Sequence, residues 1–254
     1  MKIDINVDMG ESFGRYTLGD DEALMPFVTS ANIATGFHAG DPLVLDRTIN
    51  WAKQYGVAVG AHIGLPDRQG FGRRQMDISP EELRADILYQ LGAMDAFLKI
   101  HRMNLQHIKP HGILYRMVGE QEKYIDTFLD TVYEYDPEMR IMLHTGCEAL
   151  NRAKERGMKI APEVLIDLGY DENGNWMLER VKKARSPQEV ADRALKVAIE
   201  GKIDTVDGKL IDVDGCTVCI HGDAPNAVDV AKAVRSTLEA NGVEVVNLDG
   251  YFAE

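Results

Sequence analysis

Five histidines each close a short apolar run: Asn32–His38 (NIATGFH), Val57–His62 (VAVGAH), Leu105–His111 (LQHIKPH), Met139–His144 (MRIMLH) and Cys216–His221 (CTVCIH). Runs of that length with β-branched residues read as strands, and a parallel β/α fold collects the carboxyl ends of its strands on one face. Residues far apart in the chain then meet there. Histidine at such a position suits proton transfer or metal binding. Five of the seven histidines in this pattern imply a shared site, with His101 and His107 outside it.

Strand-like and helix-like segments alternate along the chain. Strands are predicted over Lys2–Asp8, Ser30–His38, Val57–His62, Leu105–His111, Met139–His144, Met158–Ile166, Thr217–His221 and Val243–Leu248. Helical periodicity falls near Leu43–Gln54, Pro80–Ile100, Tyr124–Val132, Glu148–Arg156, Pro187–Glu200 and Ala227–Ala240. Asp41-Pro42, Ser79-Pro80 and Ser186-Pro187 are start signals, each a capping residue before proline. Gly56, Gly157 and Gly242 are stops. The alternation predicts a mainly parallel α/β fold. Polar residues at the ends of at least five successive units favour a closed β/α barrel over an open sheet, within a single domain of 254 residues. Val206-Asp-Gly-Lys209 predicts a hairpin, Asp171–Asn175 a turn, and Gly64–Asp77 a long polar loop over the active face.

The formal charge of −13, with dispersed lysines and arginines, argues against nucleic acid as a partner. The N-terminal segment lacks the pattern of a signal peptide and no apolar run approaches a membrane span, so a cytoplasmic protein is expected. Cys216 and Cys219 form a C-x-x-C pair inside an apolar strand, where alternation would point them to opposite faces; buried packing is the leading reading and metal or redox use the alternative. No G-x-G-x-x-G, Walker A, nucleophile-elbow or HExxH pattern is present.

Asp4, Asn6 and Asp8 share one face of the first strand, either as an exposed edge or as the lining of a polar lumen; the following Met9-Gly10-Glu11 turn favours the lumen. Asn32 and His38 lie amid small residues. Lys109 and His111 are two apart, so the ammonium should hold the imidazole neutral if both face inward; a surface lysine is the alternative. Asp223 follows His221 closely enough to orient it. Arg73 and Arg74 are either a carboxylate clamp or solvated surface. Metal binding by two or three histidines with Asp8 or Asp223 is open, and the spacing names no metal.

The blocks Asp4–Glu11 (DINVDMGE), Ser30–Pro42 (SANIATGFHAGDP), Gly60–Asp67 (GAHIGLPD), Gly70–Arg74 (GFGRR), Tyr89–Ala93 (YQLGA), Lys109–Tyr115 (KPHGILY) and Cys219–Asp223 (CIHGD) resemble the LamB/YcsF family over nearly the whole chain. The resemblance implies an irregular seven-stranded β/α barrel related to sugar deacetylases and some glycosidases. It also implies ATP-dependent hydrolytic opening of the cyclic amide 5-oxo-L-proline to L-glutamate, with Mg entering with the nucleotide, in a complex with B and C partner subunits that contribute to nucleotide use. Catalytic positions implied or supported by the residues are Asp8, His38, His62, Lys109, His111, His221 and Asp223; substrate-binding candidates are Asn6, Asn32, Arg73, Arg74, Tyr115, Glu163 and Asp167. In the family's Glu-x-Phe-Ala-Asp-Arg-x-Tyr segment, Glu163–Tyr170 carries Leu168 in place of arginine, and Arg180–Pro187 (RVKKARSP) replaces a glycine-rich stretch. Loss of a guanidinium fork points toward a different cyclic amide. A metal-dependent deacetylase or amidohydrolase working without ATP, and a non-catalytic binding subunit, are the alternatives.

Overall fold

The computed structural model describes residues 1–253. In chain order the elements are β1 (Lys2–Met9), α1 (Asp21–Leu24), β2 (Ser30–Ala34), α2 (Pro42–Tyr55), β3 (Ala58–Ile63), α3 (Pro80–His101), β4 (Leu105–Pro110), α4 (Gly112–Glu120), α5 (Glu122–Tyr135), β5 (Arg140–His144), α6 (Glu148–Glu155), β6 (Ile160–Leu165), α7 (Pro187–Glu200), β7 (Lys202–Asp204), β8 (Leu210–Asp212), β9 (Thr217–His221), α8 (Ala227–Ala240), β10 (Glu244–Val245) and α9 (Leu248–Phe252). Seven parallel strands close a barrel in the order β1-β2-β3-β4-β5-β6-β9, with β9 pairing back onto β1. β10 extends the amino end of β1, and β7–β8 is the antiparallel hairpin expected at Val206–Lys209. No helix among the described residues is long and apolar enough to cross a membrane.

The predicted start signals operate as expected. Asp41 accepts hydrogen bonds from the Leu43 and Val44 amides, Ser79 and Glu82 form a reciprocal capping box, and Gly56 ends α2 in the left-handed region. α4 has no such signal. It starts directly after His111, whose side chain makes no cap hydrogen bond, so pattern reading passes over it.

Several strands are shorter than predicted; the last shrinks to Glu244–Val245, with Leu248 starting α9, and two others bear on the site. β2 stops at Ala34, leaving His38 in the following loop, and β4 stops at Pro110, leaving His111 as the residue that leads into α4. The outward faces of the strands carry Ile3, Ile5, Val7, Ile33, Val59, Ile108 and Ile141, which form the main apolar core under the helices. The inward faces are polar. Asp4 accepts from Thr29 and Ser30 hydroxyls at 2.7 Å each and from Thr217, while Asn6 donates to Thr217 Oγ1 at 2.7 Å. The buried face of β1 is therefore a lumen wall and not an exposed edge.

His107 belongs to this lumen, although the strand-end pattern omitted it. It lies two residues before Lys109 in unbroken register, so strand alternation puts both side chains on the inward face, and the β3–β4 register slip between Val59 and Gly60 falls just before it. Its Nε2 lies 2.7 Å from Asn32 Oδ1. Gly60 makes room for the ring, since a Cβ there would fall 2.0 Å from His107 Nε2. Cys216 precedes β9 and packs with Met142, Ala161 and Leu248, whereas Cys219 faces the lumen; both are free and buried.

Candidate active site

At the carboxyl ends of the strands a cleft with about 370 Å³ of empty space, open solvent included, is lined by Asp8, His62, Arg73, Lys109, His111, Tyr115, Leu168, Trp176, Leu178, Lys182 and His221, among others. Its floor is an ion network centred on Lys109. The ammonium lies 2.8 Å from Asp8 Oδ1 and 2.8 Å from Glu163 Oε1, with Asn6 Oδ1 at 3.2 Å and Cys219 Sγ at 3.1 Å. Burial alone would push this amine toward its neutral form, but the charge of Asp8, with that of Glu163, holds it well above the ordinary lysine range. Glu163 also accepts from the Tyr115 hydroxyl at 2.6 Å, and burial with that carboxylate raises the phenol well above its usual value.

Asn6 and Asn32 are fully buried below the cleft. Asn32 Nδ2 donates to Asn6 Oδ1 at 2.7 Å and to Asp8 Oδ1 at 2.9 Å. Both amides thus brace Asp8 and Lys109 from beneath. Burial would raise the Asp8 carboxyl, yet His62, Lys109 and His221 outweigh it and keep Asp8 ionised, well below the usual carboxylate range.

Above Asp8 the histidines divide into two groups. His62, His111 and His38 cluster with Glu11, the four residues offering donor atoms within 4.8 Å of one another. His62 Nε2 is 3.4 Å from Asp8 Oδ2 and 2.9 Å from His111 Nδ1; Glu11 Oε1 is 3.3 Å from His38 Nε2 and 3.5 Å from His111 Nδ1. Gly72 closes over them in the left-handed region (φ +62), where a Cβ would meet His111 and His38 at 2.7 and 2.8 Å. Burial, then the His38 and His62 rings and Arg73, keep His111 neutral, so Lys109 is not the cause the sequence suggested. Burial and the Asp223 and Asp8 charges raise Glu11 well above its ordinary value. Asp8, Cys219 and His221 form a second donor group, but burial pushes the Cys219 thiol far from ionising, which makes it a poor ligand.

His221 stands on the other side of Asp8, with its Nε2 3.9 Å from Asp8 Oδ2. Its ring is oriented by Asp167 and not by Asp223. Asp167 Oδ1 sits 2.9 Å from His221 Nδ1, and Asp167 Oδ2 accepts the His221 backbone N–H at 2.9 Å. Burial opposes the Asp167 charge, but His221 and Lys182 hold the carboxyl below its usual range. Asp223 instead pairs with Arg73 at 2.9 Å, and the Arg180 carbonyl accepts a second Arg73 hydrogen bond at 3.0 Å.

The arginine pair separates: Arg73 lines the cleft, while Arg74 is turned out onto Asp67 with its Nε at 2.9 Å from Oδ1. His144 does not join the other four strand-end histidines; its half-buried ring leans on Tyr170 with centroids 5.7 Å apart, outside the cleft lining. Leu168 does line the cleft, and the Arg180–Pro187 segment supplies it with a cation, Lys182. Sequence reading missed Lys182, Trp176 and Leu178, which come from irregular chain without periodicity, and stopped at Asp8 in a motif that also contains Glu11.

Residues 3–252 match the model of the LamB/YcsF family. The chain is 44% identical over 248 residues to the A subunit of 5-oxoprolinase from Thermococcus onnurineus, covering 97% of each chain. It is 42% identical over 250 residues to the corresponding 5-oxoprolinase protein of Clostridium beijerinckii, covering 97% of this chain and 98% of that one. The crystal structure of a lactam utilization protein from Thermus thermophilus superposes with a TM-score of 0.88 at 40% identity, covering 97% of this chain and 99% of that one. A family 4 carbohydrate esterase from Streptomyces lividans shares the fold alone, with a TM-score of 0.52 at 10% identity over 96% of this chain and 91% of that one. With that agreement from end to end, this chain belongs to the LamB/YcsF family.

Proposed function

We propose that the protein opens the lactam ring of 5-oxo-L-proline to L-glutamate in an ATP-dependent reaction, as one component of a complex with B and C partners. The observation that carries this reading is the Asp8–His221–Asp167 arrangement beside the cleft, a half-buried imidazole between two buried carboxylates, in a chain that matches 5-oxoprolinase A subunits over almost its entire length.

A lactam carbonyl is a weak electrophile. Its oxygen takes the γ-phosphoryl group of ATP, ADP departs, and the ring carbon becomes open to attack. Water adds to that carbon and gives its proton to His221 Nε2, the ring nitrogen that Asp167 leaves unengaged by holding Nδ1. The C–N bond breaks, the nitrogen receives the proton, and a second water releases phosphate from the resulting acyl phosphate. Asp8, ionised and fixed by Lys109 and Asn32, accepts a hydrogen bond from the attacking water. The Lys109 ammonium is enclosed by Asp8, Glu163, Asn6 and Cys219, so it acts through its field and has no N–H to give the substrate. Lys182 takes the substrate carboxylate in the place of the missing guanidinium, and Arg73, held by Asp223, faces the transferring phosphoryl group.

The test is glutamate release from 5-oxoproline with and without ATP, using this chain alone and combined with B and C subunits. ATP-dependent release in the mixture supports the reading. Release by this chain alone without ATP, or none from a folded and assembled complex, overturns it.

A further inference from the structure

The His62 and His111 rings face each other nitrogen to nitrogen across a short contact. His62 Nδ1 lies 3.0 Å from the Lys109 carbonyl oxygen, and His111 Nε2 lies 2.8 Å from the Phe71 carbonyl oxygen. A carbonyl only accepts, so both of those nitrogens carry the hydrogen. With one hydrogen per ring, the remaining nitrogens, His62 Nε2 and His111 Nδ1, are bare, and they stand 2.9 Å apart. Two lone pairs at that distance repel unless a cation lies beside both.

We propose that His62 Nε2, His111 Nδ1 and Glu11 Oε1 are the protein ligands of a divalent transition-metal ion, zinc or a neighbour of similar preference. Metal–nitrogen bonds of about 2.0–2.1 Å turn a 2.9 Å separation of nitrogens into an angle of about 90° at the metal. The His62 and His111 rings are perpendicular, with an interplanar angle of 87°, so an ion at the crossing of their planes meets both lone pairs in plane. Glu11 Oε1 closes the third corner, 3.5 Å from His111 Nδ1 and 4.0 Å from His62 Nε2. Imidazole nitrogens with one carboxylate oxygen are a donor set that suits zinc and its first-row neighbours.

His38 is not a ligand in this arrangement. Its ring is parallel to His111 within 4° at a centroid distance of 3.7 Å, so an ion in the plane of one ring is out of the plane of the other. His38 Nε2 instead donates to Glu11 Oε1 at 3.3 Å and holds the carboxylate in place. His62 and His111 line the cleft beside Asp8, which leaves the ion open to a ligand from that side. The sequence had offered Asp8 or Asp223 as the metal carboxylate; the geometry gives that role to Glu11. The inference depends on the tautomers and ring planes and does not rest on the ring-opening reading.

The test uses the full-length chain, treated with chelator, dialysed and titrated with Co²⁺ alone. One equivalent binding with visible d–d bands, competed by Zn²⁺, is the expected result. His62→Ala, His111→Ala and Glu11→Gln should each weaken binding by more than about 100-fold, while His38→Ala, which removes only the group holding Glu11, costs about 10- to 100-fold, circular dichroism confirming the fold of each variant. Should a ligand variant fail to fold, ¹⁵N-histidine spectra of the wild type decide, because Zn²⁺ must shift His62 Nε2 and His111 Nδ1 together. Absence of d–d bands in folded wild-type protein overturns the proposal and leaves a shared proton between the two rings; bands that persist in His62→Ala or His111→Ala overturn it as well.

Discussion

Asp167 holds the His221 side chain through its ring and its backbone at once, accepting from Nδ1 at 2.9 Å and from the amide N–H at 2.9 Å. Both interactions require an acceptor. In Asp167→Asn one of them would face an amide N–H, and the ring would turn or shift its hydrogen to Nε2. We expect kcat of the assembled complex to fall by about 100-fold or more with little change in KM, as for other imidazoles that lose their orienting carboxylate. Steady-state kinetics across pH check this. An unchanged kcat would remove His221 from the proton-transfer role.

Among the described residues Lys109 is the only cation touching both Asp8 and Glu163, and all three are buried. Lys109→Met leaves two carboxylates without their counter-charge and should cost about 3–5 kcal/mol, the usual penalty for breaking a buried pair from one side. Adding Glu163→Gln removes one of the orphaned charges and should restore part of that loss. Urea denaturation of the wild type, single and double variants measures it. A double variant less stable than Lys109→Met would show that Glu163 is stabilised by Tyr115 alone and not by the ion pair.

The histidine pattern made the barrel and the location of the site legible. It could do so because closure puts strand ends together whatever loops follow. Its limits have physical causes. His38 and His111 sit beyond their strands, and they still converge because Gly72 folds the long loop onto them. His144 ends a strand and turns away to Tyr170. His107 enters the lumen by alternation with Lys109, but it ends no strand, so a pattern of strand-end residues passes over it. Proximity in sequence made Asp223 the natural partner of His221, whereas the barrel brings Asp167 across from the end of β6. Lys182 lies in irregular chain, where no pattern says which side chain points inward.

Stability should depend on pH through two lumen residues that act in opposite directions. Burial, followed by Lys109, lowers His107 to about 3, so between about pH 3 and 6.5 the unfolded chain binds a proton that the folded one refuses. Its contribution is full above pH 6.5 and is lost on acidification. Burial raises Asp4 to about 6, so between about pH 4 and 6 the folded chain binds the extra proton and stability falls as pH rises. Each slope is about 1.4 kcal/mol per pH unit, and over pH 4–6 they offset each other. Asp4→Asn removes the second and exposes the first. Denaturation midpoints at pH 4.5, 5.5 and 7 should therefore show a steeper acid loss in Asp4→Asn than in the wild type; parallel curves would mean that Asp4 does not titrate in this range.

Lys182 tests whether the cleft still recognises a carboxylate although Leu168 occupies the position where the resemblance placed an arginine. The lysine lines the same cleft as Leu168, and its charge helps keep Asp167 ionised. If it binds the substrate carboxylate in ground and transition states alike, Lys182→Ala should raise KM for 5-oxoproline by about 10- to 100-fold and leave kcat close to wild type, the signature of uniform binding. The pH profile must be followed too, since an effect through Asp167 and His221 would appear in kcat and shift its limbs. The same variant should improve the relative use of a lactam without the carboxylate, because the desolvation cost of an unmatched ammonium is gone. A KM unchanged by Lys182→Ala would assign carboxylate binding to Arg73, whose pairing with Asp223 would then have to open when substrate enters.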